Sequence, residues 1–419
     1  MFTSKVKIAS ILVSASLFIG CAGESDSQNN QGSRGSQAQV EQTFNFTQMM
    51  ANYADNIIIP AYQTAQTQSE TLIGTNGAMN SYCNAIGTDQ ELAAKTLAQT
   101  SWLNTMQAWQ QTELSILGPA AENENAKRNA VLSYASSFPT SSCAIDQAVV
   151  LAQDANFDIT SRAFNARGLS ALEYLLFNNN LNHTCPVQIQ QTSEWNNLSD
   201  TLRKQQRCQY GVLLAQDITH NIERIVSDWS IDGGDYRATF VNPVNTPDSL
   251  SALSDALFYI ELETKDEKIG LPSGISVDCA QKTCPSGIES PYSETSFQHV
   301  RDNLVAFKTS FNGKNGLGFD DIIIARGFAS TAQQMNDDID NAIAYIDTLN
   351  TSLLSQSVDF DSNGSIEACE NSQANPDTVR TVPMCSLYGY LKRISDALRI
   401  DFVTIVNLDL PNRGQSDND

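Results

Sequence analysis

The spacing of apolar residues constrains this fold more than any other feature of the sequence. Apolar side chains recur at i, i+3, i+4 and i+7 through residues 92–117, 144–177, 195–229, 250–262, 297–311, 319–354 and 387–408. That period lines one face of a helix against a core, and no series of alternating, strand-like runs competes with it. The expected fold class is therefore all-α. Helix punctuation agrees: Thr88-x-x-Glu91 reads as a capping box, and Gly118-Pro119 after Leu117 reads as a stop. Residues 41–419, roughly 380 of them, exceed what one core usually serves, so two helical-bundle domains are expected, 41–235 and 236–419. Their boundary falls at the Gly- and Pro-bearing segment 232–247. A second irregular stretch, 265–291, holds Gly270, Pro272, Gly274, Pro285 and Gly287 with the pair Cys279 and Cys284, and reads as a disulfide-anchored loop.

The amino terminus describes a route through the cell. Lys5 and Lys7 precede an uncharged apolar run that ends at Gly20, followed by Cys21. Residues 1–20 thus read as a signal peptide. The sequence Leu17-Phe18-Ile19-Gly20-Cys21 resembles a bacterial lipobox, which makes Cys21 the expected lipidation site. Ala22 is not the Asp that resembles an inner-membrane retention signal, so an outer-membrane lipoprotein facing the periplasm is expected. Residues 21–40 are polar and rich in Gly, Ser and Gln, and read as a flexible tether that spans roughly 25 Å. Contact with the membrane is then expected only through the lipid anchor, and the protein is expected to be a monomer.

Charge narrows the possible partners. The chain has 25 basic and 47 acidic residues, and the signal removes two lysines and no acids, so 23 − 47 leaves a net charge of −24. Such a surface repels nucleic acid and anionic head groups, which leaves cations, metal ions and basic proteins. Apart from Cys21, the cysteines are Cys83, Cys143, Cys185, Cys208, Cys279, Cys284, Cys369 and Cys385. An even set behind a signal fits four disulfides in an oxidising compartment. Eight cysteines allow 105 connectivities; pairing sequence neighbours (83–143, 185–208, 279–284, 369–385) closes the shortest loops. No paired C-x-x-C spacing points to zinc instead.

The run A-R-G-L-S-A-L-E-Y-L-L-F at 166–177 places Gly168, Ser170 and Glu173 at the spacing G-x-S-x-x-E. With it, in order, come A-W-Q-Q-T-E at 108–113, Leu117-Gly118-Pro119, Glu261-x-Glu263 with Lys268 and Pro272, and L-G-F-D-D at 317–321. This series, over most of 41–410, resembles the imelysin family, bacterial envelope proteins filed among metallopeptidases under the motif G-x-H-x-x-E. The resemblance implies two four-helix bundles with a site between them and a role in bacterial iron uptake. It also implies that Glu113 and Glu261 line that site with Glu173. Three carboxylates would suit a hard cation such as ferric iron or calcium, and iron is the candidate occupant of this site.

Ser170 stands where the family has histidine, and a neutral hydroxyl is a poor donor to zinc or ferrous iron. A zinc peptidase of the H-E-x-x-H type needs two imidazoles one helical turn apart and a general-base Glu. The chain has only His183, His220 and His299, none of them so placed; His220, three residues before Glu223, and His299 read as structural. No residue is therefore assigned as catalytic. The expected function is a non-enzymatic binder of a metal, a metal chelate or an envelope protein of an iron-uptake system. A metallopeptidase that uses Glu173, and an envelope adhesion or scaffold module, are the alternatives.

A second signal stands apart from the family. Residues 359–370, D-F-D-S-N-G-S-I-E-A-C-E, fit D-x-[DN]-x-[DN]-G-x5-E. Asp359, Asp361, Asn363, Ser365 through its carbonyl, Glu367 and Glu370 could surround one calcium ion, which would order a loop between two helices.

Overall fold

The computed structural model describes residues 44–134, 139–360, 369, 376 and 382–415. The expected signal peptide, tether and Cys21 lie outside them, as do Asp361, Asn363, Ser365, Glu367 and Glu370 of the calcium motif. Asp359 is described: it is exposed and accepts a hydrogen bond from Ser355 Oγ at 3.3 Å. The described residues contain helices and turns and no strand, so the fold is all-α.

Helix α1 runs through Phe46–Asn52, a π-helical turn at Tyr53–Ile58, and Ile59–Glu70. Asn45 caps it, accepting from the Gln48 amide at 3.0 Å. Next come α2 (Ala78–Ala85), α3 (Glu91–Gln110), α4 (Gly168–Phe177) and α5 (Asp200–Trp229). Helix α1 packs on α3 and α5, α2 lies against both, and α4 packs on α5 and α3. The aromatic positions explain the arrangement: Tyr62, Trp102, Trp109, Tyr174 and Tyr210 are fully buried where these helices meet. Beyond residue 235 come a π-helix at Ile260–Gly270 and the helices α6 (Ser296–Phe311), α7 (Ala329–Ile346) and α8 (Pro383–Ala397). Helix α6 packs on α7 and on the π-helix, and α8 packs on α7 and the π-helix.

Residues from Phe44 onward form one compact unit, and a single apolar core runs through both groups of helices. Helix α6 lies directly on α3. Asn52 Nδ2 donates to Gly313 O at 2.7 Å, and Tyr53 OH donates to Ser310 O. These bonds stitch the first helix to the end of α6 through buried polar groups that have no access to water.

Local structure departs from the periodic pattern in instructive places. Helix α3 starts at Glu91 and stops at Gln110, short of Gly118-Pro119, with 3-10 turns at Glu113–Ser115 and Gly118–Ala120. The Glu91 carboxylate reaches back to the Gly87 amide at 2.8 Å, while Thr88 Oγ1 accepts from Gln90 N at 3.2 Å, so the cap differs from the expected reciprocal box. Residues 265–270, expected in a loop, extend the π-helix. The run 319–354 breaks at Gly327, whose φ of +91° no helix tolerates.

The disulfides correct the nearest-neighbour pairing. Cys83 bonds Cys208 and Cys143 bonds Cys185, whereas Cys279–Cys284 and Cys369–Cys385 pair as sequence neighbours. Helix packing decides this: α2 carries Cys83 onto α5, which carries Cys208. Loop length has no say once the two helices are in contact. Four disulfides belong to an oxidising, extracytoplasmic setting, and among the described residues no helix is long and apolar enough to cross a membrane.

Candidate functional site

The motif helix α4 starts at Gly168, whose φ is +74°. A Cβ there would lie 2.5 Å from Val131 O and 3.0 Å from Ala130 O. Glycine is required twice over, by the left-handed backbone and by the approach of the neighbouring chain. Trp102 Nε1 donates to Leu169 O at 2.9 Å and fixes the first turn against α3. One turn on, Ser170 and Glu173 share a face, and that face opens into a cavity of about 380 Å3.

Glu173 is 2 % exposed. Its Oε1 accepts from Tyr292 N at 2.9 Å, Ser293 N at 2.7 Å and Ser293 Oγ at 3.0 Å. The loop that supplies these donors has left-handed residues at both flanks, Ser290 (φ 54°) and Glu294 (φ 58°). Such backbone is held only where surrounding contacts over-determine it. Burial pushes the Glu173 carboxyl up to about 7; the hydrogen bonds from Ser293 and Tyr292 pull the other way, and the charge of Glu289 adds to the rise.

Across the cavity, Glu289 is equally buried but surrounded by donors. Lys268 Nζ lies 3.1 Å and His299 Nδ1 3.1 Å from its Oε2, and Gln110 Nε2 donates to Oε1 at 2.8 Å. Burial alone would raise this carboxyl, but the Lys268 ammonium and His299 hold it down at about 2. Lys268 also donates to Gln110 Oε1 at 2.6 Å and Asn303 Oδ1 at 2.8 Å. Side chains from α3, the π-helix and α6 thereby close one polar network.

The two glutamates are joined through hydroxyls. Ser293 Oγ lies 2.9 Å from Thr295 Oγ1, which lies 3.0 Å from His299 Nε2. With Glu173 ionised, Ser293 donates to it, and the Thr295 hydroxyl bridges Ser293 and His299, whose other ring nitrogen faces Glu289. His299, which looked structural in the sequence, is the link of this chain next to Glu289. Glu289, Tyr292, Ser293 and Thr295 fall in or just after a Gly- and Pro-bearing segment where periodicity carries no information. The run of turn and cap residues from Ser290 to Ser296 was the one visible hint.

The other expected site residues go elsewhere. Glu113 is fully buried and bound by Arg128, with Nη2 at 2.5 Å from Oε2 and Nε at 3.3 Å from Oε1. Glu261 faces Lys265 at 3.3 Å and Arg399 at 3.9 Å. Glu263, two residues on, is raised by burial to about 7 despite Arg413 at 2.9 Å. Glu113, Glu173 and Glu261 each have their own partners, and among the described residues no three His, Cys, Asp or Glu side chains are placed to hold a metal ion. A zinc-peptidase donor set does not fit the cavity either: Ser170 is neutral, both nitrogens of His299 are engaged, and neither His183 nor His220 lines it.

The cavity is instead lined by carboxylates and apolar walls. Glu173, Glu267 and Glu289 face it with Ile145, Leu271 and Pro291, and among the described residues no Lys, Arg or His lines it. Glu289 is neutralised from behind, while Glu173 and Glu267 have no ion-pair partner among the described residues. Such a cavity favours a positively charged guest.

Two solved structures share this fold. An imelysin-like protein from Psychrobacter arcticum 273-4 superposes with a TM-score of 0.58 at 14% identity, over 90% of this chain and 98% of its own. A proposed iron-regulated protein A precursor from Parabacteroides distasonis ATCC 8503 gives 0.54 at 14% identity, over 83% and 94%. None of the curated proteins matches this chain. The sequence profile of peptidase M75, imelysin, matches residues 58–376. That match spans more than half of the sequence, and the chain belongs to the imelysin family.

Proposed function

We propose that the protein is a non-enzymatic, lipid-anchored envelope protein of the outer membrane that binds a cationic metal chelate in iron acquisition. The ligand sits in the cavity that Glu173 faces. The observation that carries the reading is Glu173 itself: a fully buried carboxylate with one oxygen pinned by three donors and, among the described residues, no cation beside it. A guest with an ammonium or other positive group would supply the missing charge, and the rest of the guest would rest on the apolar walls. A chelate suits the site better than a bare ion, because a chelated metal brings its own ligands and asks the protein only for charge and shape. The iron context comes from the family and from the iron-regulated neighbour with the same fold.

Calorimetric titration tests this with an iron(III) hydroxamate chelate that carries a pendant primary ammonium. The expected result is saturable binding that falls roughly ten-fold or more when the ammonium is acetylated or Glu173 becomes Gln. No heat with the cationic chelate would overturn the reading. So would chelator-sensitive cleavage of an unfolded protein that Glu173→Gln abolishes, which would restore the peptidase. Capture of a specific envelope protein, with no chelate binding, would favour the scaffold module.

A further inference from the structure

Helix α4 lines two hollows. One face carries Ser170 and Glu173 into the cavity above; Leu175 and Leu176 line a separate cleft of about 530 Å3 with α2, α3 and α5. The charged residues of this cleft are Asp89, Glu91, Lys95, Asp200, Lys204 and Arg207. They balance by count but differ in availability. Glu91 is held by Lys204 at 2.5 Å, Asp200 is held by Arg203 at 2.6 Å, and Asp89 is exposed. Arg207 is buried, bonded to Asn180 O at 3.0 Å, with Asp146 at 3.7 Å.

Lys95 is the exception. It is half-buried and its Nζ bonds only the neutral amide of Asn179, at 2.9 Å; no carboxylate lies within ion-pair distance among the described residues. Burial lowers its pKa, and the like charges of Lys204 and Arg207 lower it further against the pull of Glu91. The local field at Lys95 is thus positive, in a chain whose total charge is −22. Beside it the wall is apolar: Leu92 is 77% exposed and faces the cleft with Leu175, Leu181 and Tyr82. An exposed leucine next to a cation without a counter-ion leaves two needs, apolar cover and a negative charge, which one amphiphile meets together. The Cys83–Cys208 disulfide ties α2 to α5, and Cys208 lines the cleft, so the two helices that frame it cannot drift apart.

We propose that this cleft is a second binding site, for a small amphiphilic anion of the medium-chain carboxylate class, with Lys95 as its anchor and Leu92, Leu175 and Leu181 as the bed of its hydrocarbon chain. The carboxylate takes the remaining hydrogens of the Lys95 ammonium. The site is distinct from the cation cavity in location and in charge preference.

Octanoate, octylammonium and octanamide, titrated into the purified full chain at neutral pH and low salt, separate the contributions. Octanoate is expected to bind saturably, with octylammonium and octanamide weaker by roughly ten-fold or more. Lys95→Gln should weaken octanoate by a similar factor and Lys95→Arg should restore most of it, while both variants keep the wild-type circular dichroism and the wild-type affinity for the cationic chelate. Equal binding of octanoate and octylammonium, no octanoate heat at millimolar concentration, or no effect of Lys95→Gln would each overturn the proposal. Because the probe and the variants do not touch Glu173, failure here leaves the cation cavity standing, and failure there leaves this site.

Discussion

Glu173 and Glu289 line one cavity at nearly the same depth, 2 % and 1 % exposed, yet burial leaves one near 7 and its neighbours take the other to about 2. The difference lies in what surrounds them. The Glu289 side is a finished network, in which Lys268, His299 and Gln110 meet the carboxylate and Asn303 meets Lys268. On the Glu173 side there are backbone amides and a serine but, among the described residues, no positive charge. A buried anion with a complete set of partners is structure. A buried anion with amides and no cation is a place where a ligand can contribute, because the cost of desolvating it has already been met by the fold.

Breaking the finished side should cost the most. Glu289→Gln leaves Lys268 as an unpaired buried charge and is expected to lower the free energy of unfolding by about 3–5 kcal/mol. Urea denaturation measures this. The paired change Glu289→Gln with Lys268→Met should recover much of the loss, since no charge is then stranded.

Glu173 should act on pH dependence more than on absolute stability. Its folded value, about 7, lies above the ordinary 4.5. The folded protein therefore holds this proton more tightly than the unfolded chain, and stability falls as pH rises from 4.5 to 7 and levels off above. The full contribution is about 3 kcal/mol. Glu173→Gln keeps an acceptor for Ser293 and Tyr292 and should flatten that part of the curve, read as unfolding midpoints across pH 4.5–8. Glu289 has the opposite sign: its contribution is complete above 4.5 and is lost as pH falls toward 2. Chelate affinity should rise with pH through 7 in the wild type, because the guest requires the carboxylate.

Smaller effects refine the comparison. Gly168→Ala puts a Cβ 2.5 Å from Val131 O at a φ of +74°, and should destabilise by about 1–3 kcal/mol and weaken the chelate by moving Glu173. Ser170→Ala should change unfolding midpoints least, by about 0.5 kcal/mol or less, and leave chelate binding within roughly three-fold. A large loss of binding in that variant would shift the site's centre from Glu173 to Ser170.

The helical period revealed the all-α fold, and the G-x-S-x-x-E run marked the helix that carries the buried glutamate. Gly168 and Glu173 were readable because each strains a local rule, a glycine inside a helical pattern and an acid on an apolar face. The partner side was hidden. Glu289, Tyr292, Ser293 and Thr295 reach the site through a loop with no periodic pattern, and His299 sits on α6, more than a hundred residues after Glu173. Choosing between Glu261 and Glu263 was also beyond the sequence, because both are buried in the π-helix and only their cations separate them, Lys265 and Arg399 for the first and Arg413 for the second. The Cys83–Cys208 bond was hidden because helix packing rather than loop length selected it.

The most direct test of the central claim is to titrate Glu173 by carbon-13 NMR of side-chain carboxyls, assigned with Glu173→Gln, alone and with the cationic chelate. The free protein should titrate near 7, and the chelate should move the midpoint downward as its charge supplies what the fold leaves out. A midpoint near 4.5 in the free protein, or one near 7 that a saturating cationic chelate does not move, would contradict the account.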